Sequence, residues 1–305
     1  MRLFEDPKFD FVNNRKIGYI VSAVLLLISL SSVAFKGLSY GIDFNGGTEM
    51  VVEFDRDASV SEVRSVLTDV LGAQPEVKQF GLSRDLLIRT DVEMETGALQ
   101  ALILSTMAET FPDNNSIIIK SDVVGPRFAD DLKRGALYAV IFSLVVIFLY
   151  ILMRFRNVGY SVGTVSAIMH DVIIIMGLFT IFNEILPFSL DIDQTIIAAF
   201  LTIVGYSLND TVVVFDRIRE NSLIYKTMEL GEMVNKSINQ TLSRTVVTSL
   251  TTLFVVIVLF IFGGEVLKGF AFALTVGIIL GTYSTLFIAV PLLVDLKRKG
   301  LVAKK

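Results

Sequence analysis

The sequence predicts an integral membrane protein of six transmembrane helices, with one small α+β domain inserted between the first helix and the second. Three observations predict it. The chain has 305 residues, 53% of them hydrophobic, and a mean hydropathy of +0.66, a balance too apolar for an ordinary soluble domain. Six stretches supply the roughly 20 apolar residues that a helix needs to cross about 30 Å of hydrocarbon. Between the first and second of them, residues 41–130 hold 16 acids against 7 bases and change to short strand-like and helix-like patterns.

The six spans run approximately 17–35, 135–153, 158–181, 195–216, 245–262 and 269–294, with edges softened by Thr, Ser and Gly. The chain therefore divides into a tail at 1–16, a first span at 17–35, a domain at 36–131, a five-helix bundle at 132–296 and a basic tail at 297–305. Ser32-Val33-Ala34 resembles a signal-peptidase site, but the apolar run is longer than a signal core and its leading tail is mixed in charge, so an uncleaved anchor is expected.

Composition excludes several chemistries. Without cysteine there are no disulfides or thiolate metal sites, and a single histidine, His170, leaves little scope for an imidazole cluster or a His-based triad. No phosphate loop with a Walker-type lysine is present, which argues against ATP hydrolysis. No catalytic constellation, metal or organic cofactor is expected.

Lys and Arg in the connections set the orientation. Arg2, Lys8, Arg15 and Lys16 precede the first span; Arg154 and Arg156 lie between the second and third; Arg217, Arg219, Lys226, Lys236 and Arg244 lie in or beside the fourth connection; Lys297, Arg298, Lys299, Lys304 and Lys305 close the chain. The opposite side has a connection at 182–194 with no base and one at 263–268 with only Lys268. Both termini are thus expected in the cytoplasm and the 36–131 domain outside.

In that domain, EMVVEF (49–54) reads as a strand. SVSEVRSVLTDVLG (59–72) is a helix with a capping-box start at Ser59 and Glu62 and a stop at Gly72. EVKQFG and DLLIRT are two strands around a turn at Gly81–Arg84, residues 96–111 a second helix, and 116–125 a last strand. The order βαββαβ predicts a ferredoxin-like α+β sandwich. At its borders, GIDFNGGT (41–48) carries Gly41, Asp43, Gly46 and Gly47, and Gly125-Pro126 fixes a bend. These positions are either punctuation between membrane and domain or hinges.

Ionisable groups inside a bilayer cost several kcal/mol and mark function by default. His170-Asp171 falls near the middle of the third span, Asp210 in the fourth, Arg244 at the start of the fifth. The fourth and fifth spans are antiparallel, so Asp210 and Arg244 share the cytoplasmic half and can compensate one another. One buried pair fixing helix packing would be the plainer use. A second acid at Asp171, together with Asn209, Thr211, Thr248 and Thr251, favours a proton or ion path. Gly159/Gly163 and Gly277/Gly281 form GxxxG motifs for close helix approach, and Gly263-Gly264 turns the chain between spans five and six. The connection 220–244 has helical spacing, either lying in the interface or extending span five.

GIDFNGGT, VVGPRFADDL (123–132), AIMHD (167–171), GYSLNDTVVVFDRIRE (205–220) and NQTLSRTVVTSLTT (239–252), in this order and over nearly the whole chain, resemble the SecD/SecF family of bacterial protein secretion, on its SecF side. The resemblance implies a resistance-nodulation-division (RND) type bundle in the bacterial cytoplasmic (inner) membrane. It implies SecD as partner, association with the SecYEG channel downstream of the SecA motor, an unfolded preprotein as the moved chain, and no nucleic acid. Coupling would be to protons, with sodium not excluded. By motif, Asp210 matches the family's proton-bearing aspartate, Arg244 its partner arginine, and Asp171 the acid beside His170. A small-molecule or lipid exporter of the same superfamily, or a passive scaffold subunit, are the alternatives.

Overall fold

A computed structural model describes residues 7–183 and 185–301; Arg2, Lys304 and Lys305, used above for orientation, lie outside the described residues. The chain forms two compact units. One comprises the chain to Gly37 together with Tyr138–Thr180 and the chain from Ile196; the other comprises Leu38–Leu137 with Ile181–Thr195.

The first unit holds most of the length of six helices that are long and apolar enough to span a membrane. They are α1 (Arg15–Lys36), α5 (Pro126–Phe155), α6 (Val158–Phe182), α7 (Gln194–Ile224), α8 (Leu230–Phe262) and a last span built from α9 (Glu265–Ser284), a π turn (Thr285–Ala289) and α10 (Val290–Arg298). Two spans run further than the sequence predicts. α5 starts at Pro126, inside the segment expected to belong to the domain, because Pro is well suited to a first helical turn. α8 starts at Leu230, so much of the 220–244 connection extends the fifth span, the second of the two expectations. At about 1.5 Å per residue its 33 residues reach roughly 50 Å. Gly264, at φ +75°, makes the expected turn before α9.

Close approach in the bundle follows the small residues. α7 and the last span run parallel in a four-residue ladder: Gly277 faces Ile203, Gly281 faces Ser207, and Thr285 hydrogen-bonds Thr211 (2.8 Å). Each pair is offset by 74 positions, so the predicted Gly277/Gly281 motif is continued by a threonine. A Cβ at Gly163 would stand 2.7 Å from the Ala289 carbonyl oxygen, and one at Gly177 would overlap Ser29 of α1. The stacked and edge-on rings of Phe155, Tyr160 and Phe215 fill the core near the basic end. There the N-terminal segment is clasped by α8: Asn239 pairs with both backbone groups of Phe9 (3.0 and 2.8 Å), and Asn235 accepts from the Val12 amide (3.0 Å).

The second unit begins with a four-residue turn of helix, α2 (Ile42–Asn45). It continues as β1 (Gly47–Phe54), α3 (Val60–Leu71), β2 (Glu76–Phe80), β3 (Leu82–Thr90), α4 (Thr96–Thr110) and β4 (Ser116–Val124). The sheet is antiparallel in the order β2-β3-β1-β4, the arrangement expected of a ferredoxin-like βαββαβ unit. Ser59 caps α3 by accepting from the Glu62 amide, and Gly72 closes it in the left-handed region, as the motif predicts. Strand alternation sends Met50, Val52, Phe54, Leu86 and Ile88 into a core with Val63, Leu67, Leu99, Ile103 and Met107 of the helices. Glu49, Val51, Leu87 and Arg89 take the other face. One connection joins this unit against expectation: residues 181–195, which read in the sequence as a bare link between spans, pack with the sheet.

Candidate functional site: a carboxylate and hydroxyl cluster in the bundle

Asp210 and Asp171 are both buried, at 3% and 1% exposure, and neither has a Lys or Arg within ion-pair distance among the described residues. Asp210 Oδ2 instead accepts from Ser249 Oγ of α8 (3.2 Å), and that hydroxyl exchanges a 2.7 Å hydrogen bond with Thr282 Oγ1 of α9. Asp171 Oδ2 accepts from Ser284 Oγ (2.7 Å) and Ser207 Oγ (3.2 Å), while Oδ1 lies 2.9 Å from His170 Nδ1. The His170 ring stacks on Tyr283 at 6.1 Å, and its Nε2 is buried without a partner. Tyr283 donates to the Gly18 carbonyl (2.8 Å) and meets Ser22 Oγ (3.0 Å), both on α1. Hydroxyl groups of α7, α8 and α9 thus converge on the carboxylates of Asp171 and Asp210.

The π turn matters to this convergence. A π turn adds one residue to a helical turn, and here it follows directly on Ser284. The consecutive hydroxyls of Ser284 and Thr285 are both fully buried and reach different partners, Asp171 on α6 and Thr211 on α7.

A hydroxyl rotates to donate or to accept, so Ser249, Ser284 and Ser207 can serve a carboxylate or a neutral carboxyl group equally. An ionised carboxylate removed from water costs several kcal/mol unless hydrogen bonds and charge compensate it. Here the Ser249 hydroxyl bonds Asp210 while the charge of Arg244 acts on it from further off, and each hydroxyl can follow a change of protonation by rotating. Among the described residues, no group of three His, Asp or Glu is placed to hold a metal ion.

The sequence placed Arg244 opposite Asp210; in the structure no salt bridge joins them, though the Arg244 charge still acts on Asp210 from a distance. Arg244 is exposed, and Asp210 bonds Ser249. Helical geometry gives the reason: five residues at 100° each place Arg244 about 140° around α8 from Ser249. Thr245, four residues before Ser249, is the one buried beside it. Asn209 is likewise exposed, a neighbour of Asp210 in sequence but not on its face of α7. Thr248 bonds its own helix at the Arg244 and Thr245 carbonyls and also interacts with the Asp210 side chain, whereas exposed Thr251 bonds its own helix at Val247 and Thr248. Ser207, Ser249, Thr282, Ser284 and Thr285 escape a reading of the sequence, since a lone hydroxyl in an apolar run resembles a softened span. Ser207, three residues before Asp210, and Thr285, four after Gly281, carry a spacing signal that could have found them; Ser249, Thr282 and Ser284 carry none.

The border residues sit in the second unit. Gly46 (φ +75°) closes α2, and a Cβ there would stand 3.0 Å from Pro126 Cα. At Gly47 (φ +111°) it would stand 2.6 Å from the Thr90 carbonyl oxygen. Asp43 Oδ2 accepts from the Gln194 amide at the head of α7 (3.0 Å), and the Gly41 amide donates to the Ile192 carbonyl (2.9 Å). By contrast, a Cβ at Gly125, just before Pro126, would meet nothing within 4 Å. Gly41, Asp43, Gly46 and Gly47 are packed, whereas Gly125 has room.

The family model described as protein export membrane protein SecD/SecF, C-terminal, matches residues 103–299, and that for the SecD/SecF GG motif matches residues 31–58. The chain belongs to the SecD/SecF family. Within it, the likeness is to SecF: the protein translocase subunit SecF of Rhodothermus marinus is 52% identical over all of this chain and 98% of its own length. SecF of Desulfurispirillum indicum is 42% identical over 93% of this chain and 90% of its own. The crystal structure of SecDF, a translocon-associated membrane protein from Thermus thermophilus, superposes with a TM-score of 0.86 at 35% identity, over 96% of this chain and 39% of that one. The present SecF-family chain therefore spans about two fifths of the SecDF polypeptide. It is a multi-pass membrane protein of the protein-translocase class, with a membrane bundle and a sheet domain as the sequence predicted.

Proposed function

We propose that this SecF-family chain works with SecD to draw an unfolded preprotein outward and release it from the SecYEG channel, after the SecA motor has pushed it, using the proton gradient across the bacterial inner membrane. Both termini lie in the cytoplasm and the sheet unit outside. Asp210 is the proton-carrying group, Asp171 with His170 a second station, and the serine and threonine hydroxyls the groups that re-form around each protonation state. No cofactor is required, and the coupling ion is the proton in preference to sodium. Arg244 acts in a different arrangement of the bundle from the one described, meeting Asp210 when the helices shift. Bends at the ends of the sheet unit, Gly125 among them, take up its movement, while Gly46 and Gly47 stay packed within it.

The observation that carries this reading is the placement of two buried carboxylates, neither in a salt bridge with Lys or Arg among the described residues, on hydroxyls drawn from three helices. A passive scaffold held by a buried ion pair would need the Asp210–Arg244 bridge that the geometry lacks. One charge crossing 100 mV is worth about 2.3 kcal/mol, enough to shift a two-arrangement equilibrium by nearly two powers of ten. The test is preprotein release from inverted vesicles carrying this chain and SecD, with and without an imposed proton gradient. Asp210→Asn is expected to remove the benefit of the gradient while leaving the complex assembled. Equal stimulation of variant and wild type would assign Asp210 to packing.

A further inference from the structure

Outside the bundle, the most heavily bonded carboxylate among the described residues is Asp191, in the connection that leads into α7. We propose that Asp191 is a positioning residue: it locks the stretch leaving α1 (residues 38–45) onto the stretch entering α7 (residues 189–194), so that the sheet and the head of α7 move as one piece. The functional half of this inference rests on the proton-driven reading above.

The sheet prepares the site. Register places Glu76, Arg89 and Glu49 side by side across β2, β3 and β1, with Lys78 two residues along on the same face. Arg89 bonds Glu76 (2.7 Å) and Glu49 (2.8 Å). Asp191, 4% exposed, comes down on this row. Its Oδ1 accepts from Lys78 Nζ (3.0 Å), Asn183 Nδ2 (3.3 Å) and the Ser39 hydroxyl; its Oδ2 accepts from Arg89 (3.2 Å) and Ser189 (2.7 Å). Backbone bonds run alongside. Ile192 donates to the Ser39 carbonyl (2.8 Å) and accepts from Gly41 (2.9 Å), making a parallel bridge opposite Tyr40, and Arg89 also reaches the Tyr40 carbonyl (3.3 Å). Asp43 then caps the head of α7 at Gln194.

A buried charge network is a poor way to gain stability, because desolvation offsets most of the attraction, but it fixes one register against all others. An apolar loop could cover the same sheet face and still slide. Five side chains, from two strands, the linker after α1 and the loop before α7, converge on one carboxylate and do not permit sliding. The lock also holds through mild acidity outside the cell. Burial works to raise the Asp191 carboxyl, yet Lys78, Arg89 and the Ser39 and Ser189 hydroxyls outweigh it and hold the group below the usual carboxylate range. α7 is the helix that carries Asp210, about four and a half turns further on. A change at Asp210 that shifts α7 along its axis would then reach the sheet without being lost in a loose loop.

Two measurements on the full chain with SecD test this. Hydrogen exchange comes first: in Asp191→Asn, the amides of Gly41, Ile192 and Gln194 should exchange at least tenfold faster, with those of the β1–β3 ladder unchanged. Unchanged protection at those three amides would overturn the proposal, whatever secretion does. The second uses the absence of native cysteine. A Tyr40→Cys/Ile192→Cys pair, oxidised, should keep gradient-stimulated release in the otherwise native chain and restore it in Asp191→Asn, whereas reduction of the latter should lose it again. Loss of stimulation on oxidising the pair in the native background would show that the stretches must part, and would refute the lock. A wild-type control without gradient stimulation would sink the proton reading instead, and the exchange result would still decide the lock.

Discussion

The parallel ladder between α7 and the last span makes a quantitative prediction at Gly277. A Cβ added there would lie 2.5 Å from two carbons of Ile203 and 2.8 Å from a third, distances that real contacts do not reach. Ile203 is 1% exposed and has little room to turn, so in Gly277→Ala the two helices must separate. Overpacking of this kind costs about 1–3 kcal/mol. Separation at Gly277 also pulls on the rungs below it, Gly281 over Ser207 and the Thr211–Thr285 bond, and through Ser207 on Asp171. Reversible unfolding of the purified full chain in mixed micelles should show the loss, and gradient-stimulated release should fall with it. Ile203→Ala alone should destabilise by about 2–5 kcal/mol through its cavity. The double variant should be less harmful than the sum by about 1–3 kcal/mol, since each change relieves the other. Gly277→Ala with wild-type stability and stimulation, or strict additivity with Ile203→Ala, would refute the ladder as the element that sets the site.

Other expectations follow from single positions. Gly47→Ala forces a positive φ on a side chain and a clash with the Thr90 carbonyl, so the sheet unit should lose about 2–4 kcal/mol by the same unfolding measurement. Asn239→Ala removes both bonds to Phe9 and should raise exchange at the Phe9 amide severalfold without changing the sheet. Acid should loosen the lock at Asp191 from one side only. Its folded value lies below that of an unfolded carboxylate, so the contribution is full above about pH 4 and is lost as pH falls through that range and below. Exchange at Ile192 should therefore be flat from neutral pH to about 5, after correction for intrinsic rates, and accelerate only in stronger acid.

Much of this arrangement is legible in the sequence, for physical reasons. Membrane spans announce themselves by length and apolarity alone, and strand alternation with a capped α3 gives the βαββαβ order. Asp171 and Asp210 stand out because a carboxylate in an apolar run is costly to insert and is seldom kept without a use. What pairs with them is not legible, because it depends on rotation about a helix axis. Arg244 and Ser249 are five residues apart on α8, and only the packing against α7 decides which faces the acid. The Gly277/Gly281 motif is visible, but its continuation to Thr285 and its partners Ile203 and Ser207 need the parallel alignment of two spans far apart in sequence. Asp191 does not stand out, because a short acidic connection between spans ordinarily faces water; the row of Glu76, Arg89 and Glu49 that receives it exists only once three strands are in register.

The central claim is that Asp210 carries the proton whose movement drives the work. The most direct measurement is proton flux itself, followed with a pH-sensitive dye inside vesicles that carry this chain, SecD and the channel, while a preprotein is in transit. Wild type should dissipate an imposed pH difference faster than vesicles lacking the pair, and Asp210→Asn should reduce the rate to that of the empty background. An Asp210→Asn flux equal to wild type, or a wild-type flux that follows a sodium gradient and ignores the pH difference, would contradict the account.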